Sequence, residues 1–98
     1  MVDAPTRTTE SAVSKFRKRP LEIEARQWDG SPESSREIVE WGNPYISWWF
    51  NRNLMAIATL EGQMSVSIGD WIIRDFKDEF YGCKPDVFEA TYEPVSEL

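Results

Sequence analysis

Turn-forming residues recur so often between Pro20 and Val95 that no long helix fits there. Asp29-Gly30, Asn43-Pro44, Asn51-Arg52-Asn53, Glu61-Gly62, Gly69-Asp70 and Lys77-Asp78 each break the backbone. Gly supplies positive φ at no steric cost, Pro fixes φ and removes a donor, and Asn and Asp tolerate left-handed backbone. The pieces left between these breaks have the length of strands. Leu21, Ile23 and Ala25 alternate with Glu22, Glu24 and Arg26, the period of a half-buried strand, and Pro20 suits the position that starts one. Tyr45 to Phe50 reads as a strand dense in aromatics, and the apolar run Leu54 to Leu60 as a central one. Met64, Val66 and Ile68 alternate with Ser65 and Ser67; Trp71 to Arg74 and Glu79 to Cys83 then continue an antiparallel meander.

One segment carries a full set of helix signals. Ser31 is placed as an N-cap, Pro32 at the first helical position, Glu33 in the first turn and Gly42 just past the end, which predicts a helix over 32–41. Ile38, Val39 and Trp41 share one of its sides and are expected to pack on the sheet. Lys84 to Phe88 reads as a single helical turn, and Ala90 to Val95 as a closing strand. The expected fold is therefore α+β: one small domain, mainly antiparallel sheet of about five to six strands, able to curl into a barrel-like form, with one helix near 32–41.

Ninety-eight residues, 41% of them hydrophobic and 13% aromatic, support one modest core and one domain. Residues 1–14 are Ser, Thr, Ala and charge with no apolar period, the composition of a flexible tail, so the folded domain is expected over 15–98. The chain has a formal net charge of −6, unevenly placed. Residues 1–19 carry five Lys or Arg against Asp3 and Glu10, a balance of +3, while the remainder carries six basic and fifteen acidic groups, a balance of −9. An acidic body argues against duplex DNA as a partner, because that affinity comes from Lys and Arg displacing counterions. No run approaches the ~20 apolar residues of a membrane span. A single Cys and no secretory h-region fit a reducing cytoplasm.

The residue inventory excludes several chemistries. With no His and one Cys, the chain holds neither a Ser/His or Cys/His nucleophile pair nor the ligands of a zinc site, and no metal or other cofactor is expected. Asp70, Asp75, Asp78, Glu79 and Asp86 supply oxygen ligands, but not at the spacing of a calcium loop. Cys83 beside Lys84 has the makings of a low-pKa thiol, yet a lone Cys at a strand end is more often a packed apolar side chain. The expectation is a protein that is not an enzyme.

What remains are binding surfaces. Trp48, Trp49 and Phe50 are consecutive, so one face of a strand cannot hold all three. Either Trp48 and Phe50 are core and Trp49 is exposed, or the reverse, or a two-sided core takes them all. The exposed remainder is a contact surface, since large aromatics dominate interfaces. Lys15 to Arg19 is the dense positive cluster, with Arg17, Lys18 and Arg19 the residues expected to meet an acidic group or a phosphate and Phe16 an apolar anchor. Arg74 is a further anion-binding candidate. Trp71 and Phe88 are expected to be buried and to close the core.

Glu24-Ala25-Arg26-Gln27-Trp28, Thr59-Leu60-Glu61-Gly62, Gly69-Asp70-Trp71-Ile72-Ile73-Arg74 and the run Glu79-Phe80-Tyr81, Cys83-Lys84-Pro85-Asp86, Phe88-Glu89 together resemble a family of small accessory proteins encoded by tailed bacteriophages and prophages. The resemblance covers about residues 15–95; Gly82 stands where the motif usually has Pro, and the N-terminal tail is additional. It implies a setting and carries over no catalytic residue. On that basis the expected role is a phage-encoded, non-catalytic protein in the host bacterial cytoplasm that binds and modulates a host macromolecule, with a host protein as partner. The alternative is a small-ligand binder in which Trp or Tyr stacks on a nucleotide base and Arg17, Arg26, Arg52 or Arg74 holds phosphate. Spare aromatics and an exposed strand edge also suit a homodimer.

Overall fold

The computed structural model describes residues 13–17 and 21–95. Among the described residues are six strands and two helices: β1 (Glu24–Gln27), α1 (Pro32–Gly42), β2 (Ile46–Trp49), β3 (Leu54–Thr59), β4 (Gly62–Val66), β5 (Trp71–Arg74), β6 (Phe80–Cys83) and α2 (Pro85–Thr91). The strands form two three-stranded antiparallel sheets, ordered β1-β5-β6 and β2-β3-β4. No barrel closes. The continuous apolar strand β3 is central in its sheet, and β5 is central in the other.

Sequence chemistry explains α1 closely. The Ser31 hydroxyl accepts the Ser34 N–H at 3.1 Å, and Asp29 Oδ1 accepts the Ser31 N–H at 2.9 Å, which satisfies donors that the first turn leaves without partners. The Ser31 hydroxyl, then its backbone N–H and the Ser34 hydroxyl, hold the Asp29 carboxyl below the ordinary carboxylate range. Ser35, Ile38 and Gly42 form the buried stripe of the helix.

The core lies between the sheets and under α1. It joins Trp28, Ile38, Ile46, Met55, Ile57, Val66, Ile72 and Phe80, with Val39, Trp41 and Trp48 packed against it. Trp28 is its joint. Its indole is 1% exposed and donates to Ser35 Oγ at 2.8 Å, and that hydroxyl donates to Ser31 O at 2.7 Å. The Trp28 backbone donates to Asp70 O and accepts from Gly69 N–H. One residue thus links the end of β1, the start of α1 and the loop before β5.

Three sequence expectations change here. Ala90 to Val95 is not a strand: the helical turn beginning at Pro85 runs on to Thr91 and the rest is irregular. Pro85 and Asp86 start the helix, and Tyr92, its C-cap, donates its N–H to Phe88 O at 2.9 Å and sets its ring tilted against Phe88 at 5.0 Å between centroids. Trp71 and Phe88 do not close the core. They stack face to face at 4.1 Å, half-buried, on the opposite face of β1-β5-β6 from Ile72, where Ile73 is 0% exposed. The first strand is also shorter than its alternating pattern, and Leu21 is exposed.

Gly42 generates a prediction whose sign is unusual. Gly to Ala inside a helix ordinarily stabilises by up to about 1 kcal/mol. A Cβ here would come within 2.6 Å of Ile46 Cγ1, and Ile46 is 4% exposed and locked in the core. Gly42→Ala is expected to destabilise by about 1–3 kcal/mol in urea titrations; a gain in stability would show that Ile46 yields freely.

Candidate functional site

Alternation in β2-β3-β4 assigns its two faces. Ile46, Trp48, Met55, Ile57 and Val66 belong to or pack on the core, so their neighbours turn outward. The register sets Ser47 against Ala56 and Ser65, Trp49 against Leu54, and Ala58 against Gln63. This outer face carries no charged residue. Neither helix packs on it, and Trp49 and Leu54 are 45% and 51% exposed.

The choice among the three consecutive aromatics is thereby settled. Trp48 is half-buried and packs on the core; its indole donates to Asn53 Oδ1 at 2.9 Å, and Asn53 Nδ2 donates to Gly30 O at 3.1 Å. That fixes the β2–β3 loop rather than offering a contact surface. Trp49 is the outward residue. Phe50 lies past the strand end, where the alternation no longer applies; it is exposed, with its ring edge-on to Trp48 at 6.0 Å.

Arg74 is committed within the domain. It pairs with Asp78 at 3.0 Å and Glu24 at 3.4 Å and lies over the Phe80 ring. Glu24 also accepts the Trp41 indole N–H, and Arg26 lies over Trp41 while reaching Glu37 at 3.7 Å. These side chains line the domain surface beside α1, and both guanidiniums have carboxylate partners within it. Arg17 is exposed; Lys18 and Arg19 fall outside the described residues, so the basic cluster is only partly placed.

The last third of the sequence contracts into a clasp. Gly69 has φ +99°, and Asp70, 6% exposed, accepts the Ser67 N–H at 2.9 Å and the Lys84 ammonium at 3.3 Å. Lys84 precedes α2, whose Phe88 stacks on Trp71. The motif residues therefore serve one another. Cys83 lies beside this clasp, half-buried; burial, then the carboxylates of Asp70 and Asp86, push its thiol upward in pKa. Lys84 turns to Asp70 and does not activate it. Burial and the neighbouring Tyr92 hydroxyl push Tyr81 upward too.

A second feature is an open cleft of about 930 Å³ between the β3–β4 and β5–β6 hairpins. Tyr45, Leu60, Met64 and Phe80 supply apolar walls, and Glu61, Asp78 and Glu79 with Lys77 stand around it. Sequence reasoning missed it, because it depends on the two hairpins lying side by side. Leu60, apolar in the middle of a turn, was the available signal. Among the described residues no group of three His, Cys, Asp or Glu side chains is arranged to hold a metal ion, and no helix is long and apolar enough to cross a membrane.

At neutral pH the raised pKa leaves Cys83 as thiol. Alkylation by iodoacetamide at about pH 7.5 is expected to run slower on the folded chain than in denaturant, and to speed up as pH rises. Equal rates would show an accessible, unperturbed thiolate.

In comparisons with family models, curated proteins and solved structures, nothing matches this chain.

Proposed function

We propose that this is a non-catalytic accessory protein, of phage or prophage origin, that binds a host protein through the outer face of β2-β3-β4 and modulates it. One observation carries the reading: in a chain of which 29% is charged, this face carries no charge and has Trp49 and Leu54 side by side, about half exposed. A tryptophan with an aliphatic neighbour on a flat neutral surface is the composition of a protein-binding hot spot. The resemblance in the Gly69 to Glu89 region supports the phage setting. Capture of a nucleotide has less support, because Arg26 and Arg74 are spent on internal contacts and Lys77 is the single cation lining the cleft among the described residues.

Because the contact is neutral, its affinity is expected to change little with salt. Trp49→Asp is expected to weaken binding by at least ~30-fold, the scale of a hot-spot residue, and to leave the melting temperature near that of the parent. The experiment is a pull-down from bacterial lysate with the parent chain and Trp49→Asp, followed by mass spectrometry of the protein and small-molecule fractions. A stoichiometric protein retained by the parent and lost by the variant supports the reading. Retention by both, or release of a nucleotide on heating, overturns it.

A further inference from the structure

We propose that the cleft between the β3–β4 and β5–β6 hairpins receives the N-terminal arm of a second copy of this chain, with Phe16 as the inserted side chain, so that two copies exchange arms about a two-fold axis. The inference goes beyond the proposed function and uses a different surface.

Three observations carry it. Phe16 is 92% exposed and stands between Lys15 and Arg17, so the arm presents an aromatic ring flanked by two cations. The cleft offers the complement: apolar walls from Tyr45, Leu60 and Met64, with Glu61 and Glu79 outnumbering Lys77 around them while Asp78 pairs with Arg74. Leu60 is 89% exposed and Tyr45 50% exposed, an unusual concentration of uncovered apolar surface at hairpin ends, and an aromatic ring would cover it.

Charge then selects the occupant. Bodies with a balance of −9 over residues 20–98 repel one another, whereas residues 1–19 carry +3. Exchange sets each positive arm against the negative body of its partner, and this attraction offsets part of the repulsion between the two bodies. The arm is also well placed for the exchange. The residues that follow it, Glu22 to Glu24, line a shallow groove together with Asp78, which borders the cleft as well. The chain's own cleft is not filled by Phe16, whose exposure is nearly complete. Reciprocal exchange fills both clefts and closes the assembly at two subunits.

Analytical ultracentrifugation of the full chain tests this, with Phe16→Ser and Leu60→Asp. Both positions are highly exposed, and circular dichroism melts verify that each variant folds. The parent is expected to sediment as a dimer whose dissociation constant rises at least about tenfold between low and moderate salt. Each variant alone is expected to be monomeric. An equimolar mixture of the two is expected to recover a dimer, because Phe16→Ser keeps an intact cleft and Leu60→Asp keeps an intact arm. Trp49→Asp should leave the dimer in place, which separates this inference from the fate of the proposed host contact. A parent that is monomeric at all concentrations, including one with its arm folded on its own cleft, overturns the proposal. So does a dimer that survives Phe16→Ser, or a mixture of the two variants that stays monomeric.

Discussion

The hydrogen bond from the Trp28 indole to Ser35 Oγ is the interaction on which the rest depends. It lies inside the core, where an unpartnered indole N–H or hydroxyl would cost about 1–3 kcal/mol, and its acceptor is itself held by the Ser31 carbonyl at the start of α1. A large apolar ring is thereby buried in one orientation only. Because the same residue ends β1 and exchanges backbone bonds with Gly69 and Asp70, the angle of the helix against β1-β5-β6 and the path of the loop before β5 are set together. The position of β2-β3-β4 follows from this, since Ile46 starts its first strand and packs into the notch that Gly42 leaves in the helix.

The most recognisable stretch of the sequence proves to be architecture. Asp70 and Trp71 at one end of the stretch meet Lys84 and Phe88 at the other, as a buried carboxylate with its ammonium and a pair of stacked rings. A charge as buried as Asp70 requires a partner and hydrogen bonds to be tolerated; Lys84 and the Ser67 N–H provide them. Sequence pattern strength here measures how many groups must agree for the C-terminal helix to dock, and the surfaces able to meet another molecule lie elsewhere, at Trp49 and between the hairpins.

Local signals were legible where local physics decides. The start of α1 follows from Ser31 and Pro32 and its end from Asn43-Pro44, with Gly42 in the last turn rather than past it, and the central position of β3 follows from its unbroken apolar run. Outcomes set by pairing were not legible. Trp48 and Trp49 are adjacent in the chain, and only the register Trp48 to Met55 and Trp49 to Leu54 tells inside from outside. Arg74 reads as a free cation until Asp78 and Glu24 are brought to it by a turn and by the β1–β5 pairing. Ala90 to Val95 has strand-like residues, but the helix that Pro85 begins runs on to Thr91 and takes the first two of them.

The two sheets meet where β6 passes β4, and there the ladder stops. Gly82 N–H reaches the Met64 thioether sulfur at 3.3 Å, a weak acceptor in the place where a paired strand would set a carbonyl. The seam rests on packing of Met64 and Ile57 around a residue that has no side chain, and it spends no backbone bond to come apart. Each sheet keeps its own ladder on either side of the seam, and the core that both sheets share holds them together. In heavy water the Gly82 amide would take up deuterium through this parting, ahead of the amides that β5 and β3 hold at the centres of their sheets.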